Sequence, residues 1–273
     1  MNRLPVTTGA APAGPVRGLW AGAAVLAMLA LGPVCAQPVS PAEVLLFETD
    51  HLARIKAPAT LVYEFRKVSN VEPAFTDNVQ LDVSRDKGQL HAELHFLTGE
   101  RKRDLPGIDD VHGNPVLLGF LERDIAEMKR LTGGSAGYFR KRIRMALAQG
   151  AQVMPQRITY QGKALDAKAV RIQPYLDDPL HARFENYVRK TYTFVISEQV
   201  PGGVYQLRTT LANAGADRPG TIVARKAGAD AGAAKAAPGK MAPAAATPGA
   251  APPGEAPLID ETLTLVKVAD PKR

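Results

Sequence analysis

From Thr60 to Phe96 the chain alternates apolar and polar residues with a period of two, and from Asn114 to Gln149 the period becomes 3.6. In TLVYEFRKV, Leu61, Tyr63 and Phe65 alternate with Val62, Glu64 and Arg66. In DNVQLDV, Val79, Leu81 and Val83 share a phase, and after the turn Arg85-Asp86-Lys87-Gly88 the phase resumes at Leu90, Ala92, Leu94 and Phe96. Strict alternation predicts antiparallel strands with one wet face. Upstream, Val44, Leu45, Phe47, Leu52 and Ile55 predict a short helix within Pro41–Ile55, ahead of Pro58.

The helical stretch predicts two helices with a glycine corner between them. The first runs from Asn114 to about Leu131, because Asn-Pro is a strong start: the side chain can cap free N–H groups and proline suits the first helical position. Leu117, Leu118, Leu121, Ile125 and Met128 fall on one arc; Glu122, Arg123, Ala126, Lys129 and Arg130 fall opposite. Gly133 and Gly134 suit a left-handed exit, Ser135 suits a cap, and Phe139, Ile143, Ala146 and Leu147 stripe the second helix.

Alternation then returns. RITYQGKALDAKAVRIQ predicts a hairpin turning at Gln161-Gly162, and a strand is expected within Phe184–Ser197 on Tyr192, Phe194 and Ile196. Another follows Pro201-Gly202-Gly203, with Tyr205, Leu207, Thr209 and Leu211 on one face. Residues 212–257 are dominated by Ala, Gly and Pro and cannot bury enough surface to fold. Strand composition reappears in Asp260–Val268, which predicts a partner for Val204–Leu211 with the tract as a long loop; closure cost rises only about 0.6 kcal/mol per doubling of loop length. The pattern as a whole predicts an α+β fold in one domain, 37–273, with the helical pair lying on the sheet.

The first 36 residues change the compartment. Leu19–Leu31 is thirteen residues without a charge, preceded by Arg3 and Arg17 and followed by Val34-Cys35-Ala36. This reads as a signal peptide cleaved before Gln37, since a membrane span needs about 20 apolar residues. Pro33 and Val34 before Cys35 do not make a lipobox. Removing residues 1–36 takes two arginines and no acid, so the net charge falls from +7 to +5, and the one cysteine goes too. Such a chain has no thiol nucleophile, thiolate ligand or disulfide. The expected location is the periplasm.

Candidate chemistry is thin. Gly133-Gly134-Ser135-Ala136-Gly137 fits G-x-S-x-G, and Asp177, Asp178 and His181 follow in triad order. That motif works where a strand delivers the serine to a helix, whereas here a helix precedes it. A hydrolase using Ser135 is the alternative reading; a capped corner is preferred. His91, Glu93 and His95 point one way on a strand, but the two histidines are about 13 Å apart at roughly 3.3 Å per residue, so no metal is expected without help from another strand. Asp124 falls inside the apolar arc and needs a cation, for which Arg142 is the expected partner. Arg140, Lys141 and Arg144 share one arc of the second helix, suited either to plain solvation or to an anionic membrane surface or acidic partner. A scaffold protein acting through that basic helix is a further alternative. Nucleic acid is not expected, and no cofactor is expected.

The opening HLARIKAPATLVYEFRKVS, a short helix feeding a meander that later surrounds central helices, resembles the periplasmic lipoprotein-carrier proteins of the LolA/LolB type and exported proteins sharing their half-barrel. The resemblance is architectural and spans roughly Pro41–Leu211 plus the last strand. It implies a curved antiparallel sheet with the helical pair on its concave face, and a non-enzymatic protein binding a lipid or other apolar envelope ligand. The expected cavity lining is Leu117, Leu121, Ile125 and Met128 from the helix, with Tyr63 and Phe65 from the sheet.

Overall fold

The computed structural model describes residues 39–211 and 258–269. The expected signal peptide, its cleavage point and the 212–257 tract lie outside the described residues. The described chain is α+β, with one large antiparallel sheet and few helices.

Strands β1 (Ala59–Ser69), β2 (Phe75–Asp86) and β3 (Gln89–Phe96) form the first meander, and the two-residue strands β4 (Arg103–Asp104) and β5 (Ile108–Asp109) both pair with β3. The second comprises β6 (Gln152–Tyr160), β7 (Lys163–Ile172), β8 (Thr191–Ile196) and β9 (Val204–Leu211). Strand β10 (Ile259–Ala269) pairs with β9, as its composition predicts, and on its other side with β1. The order is therefore β4-β3-β2-β1-β10-β9-β8-β7-β6. The last strand joins the two meanders into one sheet.

Between the meanders lie α2 (Val116–Thr132) and α3 (Ala136–Gln149). Asn114 stands two residues before the first helix; its Oδ1 accepts from the Val116 N–H at 3.1 Å, while its Nδ2 donates to the Tyr63 hydroxyl and the Gly202 carbonyl. Ser135 caps α3 by accepting from the Tyr138 N–H at 3.2 Å. Leu118, placed on the apolar arc by the sequence, is 54 % exposed; Leu117, Leu121, Ile125 and Met128 are buried. The sheet is approached closely at Gly119, where a Cβ would lie 2.6 Å from Leu94 Cδ2 and 3.0 Å from Phe96 Cδ2. Only glycine lets α2 sit this low over β3.

Three local expectations gain detail. The short helix expected within Pro41–Ile55 occupies Pro41–Glu48, as α1 (Pro41–Glu43) running into a π-helical turn at Val44–Glu48; the Thr49 N–H and hydroxyl both donate to the Val44 carbonyl and end it. Val44 and Phe47 are exposed, and Leu46 takes the buried position. The strand expected within Phe184–Ser197 is β8, Thr191–Ile196, and the residues ahead of it form short 3-10 turns in which Phe184 packs edge-on against Phe139 and Tyr175. Tyr205 leaves the face of Leu207, since the register shifts between Val195 and Ile196, and its ring packs on Tyr160.

The buried sheet face can be followed from strand to strand. Phe65 lies opposite Leu263, Leu263 opposite Leu207, Leu207 opposite Phe194 and Phe194 opposite Val170, all fully buried. This apolar row crosses β1, β10, β9, β8 and β7.

Candidate functional site

Two residues along each strand, the same face turns polar. Lys67 lies opposite Glu261, Glu261 opposite Thr209 and Thr209 opposite Tyr192, and all four are fully buried. Helix α2 supplies the partners. Lys67 Nζ reaches Glu261 Oε1 at 2.9 Å and Glu127 Oε1 at 3.0 Å, and also meets Glu72. Arg123 Nη1 lies 2.8 Å from Glu261 Oε2, with its guanidinium 4.6 Å from the centre of the Phe65 ring. Asp124 accepts from Lys190 Nζ and, at 2.6 Å, from the Tyr192 hydroxyl, which bonds on to the Tyr175 hydroxyl at 3.0 Å. Three cations (Lys67, Arg123, Lys190) thus meet four anions (Glu72, Asp124, Glu127, Glu261).

Electrostatics hold Glu261, Lys67, Arg123 and Glu127 in their charged forms. Burial alone would raise the Glu261 carboxyl, but Arg123, Lys190 and Lys67 hold it down to about 2. Burial pulls Lys67 downward, yet Glu261 and Glu127 together raise it above the ordinary lysine value. Glu127 is lowered despite burial, by Arg130 and Lys67. Burial and the Asp124 charge push the Tyr192 hydroxyl well above 10. A general acid or base works best with a pKa near the operating pH. None of these shifted groups is so placed; what the row does is fasten α2 to the sheet in one register.

This corrects two expectations. The partner of Asp124 is Lys190 with Tyr192, since Arg142 instead turns to Asp178, 2.9 Å from its Nε. Arg123, assigned to the exposed side of α2, has an 11 % exposed side chain and belongs to the row. The basic cluster divides likewise: Arg140 makes a two-pronged pair with Glu122 at 2.7 and 2.8 Å, whereas Lys141 and Arg144 are exposed without an acidic partner among the described residues.

The six residues expected to line a cavity, Leu117, Leu121, Ile125, Met128, Tyr63 and Phe65, are all buried in one continuous core. The surface clefts lie elsewhere. One of about 560 Å³ opens between the end of α3 and residues 171–177 and is lined by Arg142, Met145, Ala146, Gln149, Ile172 and Leu176 among others. Two of about 390 and 300 Å³ flank Arg54 and Glu198.

Ser135 is engaged as the α3 cap, and His181 Nδ1 bonds to the Asp178 carbonyl at 2.7 Å. Asp178 itself accepts from the Tyr138 hydroxyl and from the Leu180 N–H at 2.8 Å. On β3, His91 Nδ1 lies 2.6 Å from Asp109 Oδ1, a bond that raises its pKa, and His95 Nε2 lies 3.3 Å from Asp82. Among the described residues no group of three or more His, Asp or Glu is arranged to hold a metal ion.

Sequence reasoning missed Lys67, Lys190 and Glu261, and placed Thr209 on the buried face without a role. A signal was present, because Lys67 continues the phase of Leu61, Tyr63 and Phe65, and Glu261 that of Leu263 and Leu265. A charge in the buried phase of a strand has to be met from above. Among the described residues no helix is long and apolar enough to cross a membrane. No protein-family model matches the chain, and no curated protein matches it.

Proposed function

We propose that this chain is an exported, non-enzymatic binding protein of the periplasm that takes an acyl chain or the apolar part of an envelope molecule on the sheet face beneath α2. In this reading the sheet is a half-barrel of the lipoprotein-carrier kind, and α2 and α3 lie on its concave side. The observation that carries it is the way α2 is attached: buried Lys67, Lys190, Asp124 and Glu261 paired with one another and with the half-buried Arg123 and Glu127, beside an apolar row five strands wide. That row spans about 19 Å at roughly 4.8 Å per strand, the scale of a long acyl chain.

Ion pairs suit a helix that has to leave and return. Their attraction is largely offset by lost hydration, so separating them into water recovers much of what docking cost. An apolar contact recovers nothing. The same pairs allow one register on return, so Leu117, Leu121, Ile125, Met128, Tyr63 and Phe65 re-form one core.

Native mass spectrometry of protein taken from the periplasm tests the reading. The expected spectrum carries added masses of bound lipid, lost on organic extraction and restored by a long-chain fatty acid. Bare protein that takes up no such ligand would overturn it.

A further inference from the structure

The segment after β7 turns Tyr175 and Phe184 into the core and keeps a second, outward side. Asp178 is 1 % exposed and is held on three sides: by the Tyr138 hydroxyl and the Arg142 guanidinium of α3, and by the Leu180 N–H of its own loop. A buried carboxylate satisfied in this way fixes the loop against α3. Outward it presents two large apolar side chains among Asp177, His181 and Arg183. Leu176 is 46 % exposed and Leu180 is 41 % exposed, and Leu176 forms one wall of the 560 Å³ cleft whose other wall carries Met145 and Ala146.

Charge surrounds this pair unevenly. Lys141 and Arg144 on the outer face of α3, with Arg183 at the end of the loop, are exposed; the exposed acid within the loop is Asp177. Arg140 and Arg142 are neutralised by Glu122 and Asp178. Two cations are thus in excess beside two protruding leucines. A protein partner would want a flat apolar patch packed as closely as an interior. Single leucines on a rigid loop with a cationic collar match instead the headgroup region of a bilayer, where apolar side chains enter by about 5–10 Å and lysine and arginine meet the phosphates.

We infer that the Leu176–Arg183 loop and the outer face of α3 form a docking surface for an anionic lipid bilayer, Leu176 and Leu180 entering the headgroup layer with Lys141, Arg144 and Arg183 over it. This surface is separate from the face beneath α2 and does not depend on a ligand there.

The test uses the full chain with Trp20→Phe and Leu180→Trp, so that the reporter at position 180 is the chain's one tryptophan. Vesicles of phosphatidylglycerol mixed with phosphatidylcholine should shift its fluorescence to the blue; pure phosphatidylcholine vesicles and inorganic phosphate should not. Adding Lys141→Gln with Arg144→Gln should weaken the response on the order of thirtyfold, and 1 M salt should suppress it. Because the Lys141→Gln and Arg144→Gln comparison keeps residues 1–36 on both sides, their apolar run and two arginines cannot produce that difference. No shift on anionic vesicles, an equal shift on neutral ones, or indifference to the two cation changes would overturn the inference. So would retention on an acidic polypeptide without any vesicle response, which would give the face to a protein partner.

Discussion

Two neighbouring rows of one sheet face, about 7 Å apart along the strands, meet the same helix in opposite ways. Phe65, Leu263, Leu207, Phe194 and Val170 offer only apolar surface, while Lys67, Glu261, Thr209 and Tyr192 offer charge and hydroxyls to Arg123, Asp124 and Glu127. The first row contributes stability that scales with area and is indifferent to register. The second contributes little net energy and strong positional preference, because each misplaced partner would leave a buried charge alone. Stability and specificity of α2 docking are thus carried by different residues of one surface.

The sharpest break is to remove one charge. Glu261→Ala strands Arg123 and removes one of three carboxylates from Lys67, and should cost about 3–5 kcal/mol in denaturant unfolding. In the apolar row, Leu207→Ala should cost somewhat less, about 2–4 kcal/mol, as lost transfer energy and a cavity. Acid separates the rows more gently. With Glu261 held down to about 2 in the folded protein against 4.5 in the unfolded chain, its contribution is complete above pH 4.5 and lost as pH falls from 4.5 toward 2. Burial lowers His51, so its contribution is complete above pH 6.5 and fades as pH falls below that value. Melting curves should therefore show a small loss starting near pH 6.5 and a larger one below 4.5, with Leu207→Ala following the same profile at lower stability. The smallest effect is expected from a paired change: Asp124→Leu with Lys190→Met should leave stability within about 1 kcal/mol of the wild type or raise it, although either change alone is damaging.

Much of this fold was legible because alternation and helical periodicity are local. β1, β2 and β3 follow the predicted phases, β10 pairs with β9 as its composition predicts, and α3 starts at its predicted cap. The irregular run ahead of β8 was not legible, because side chains from distant elements decide it: Phe184 turns in where Phe139 and Tyr175 form a niche for it. The polar row failed for a related reason. Asp124 was visible as a misplaced acid, but Lys190 lies 66 residues away at the end of an irregular segment, and nothing in the spacing marks it as the partner. Arg123 sits at the margin of the helical wheel, where a long side chain can reach inward along Phe65 to Glu261.

The central claim is that the apolar row becomes accessible to a ligand when α2 moves. A long-chain fatty acid carrying a photoreactive diazirine, irradiated with the protein and mapped by mass spectrometry, tests it directly. Adducts are predicted at Phe65, Leu207, Leu263 or Phe194, and on the α2 residues Leu121 and Ile125 buried in the same core. Adducts confined to the cleft at Met145 and Leu176, or none at all, would contradict the account.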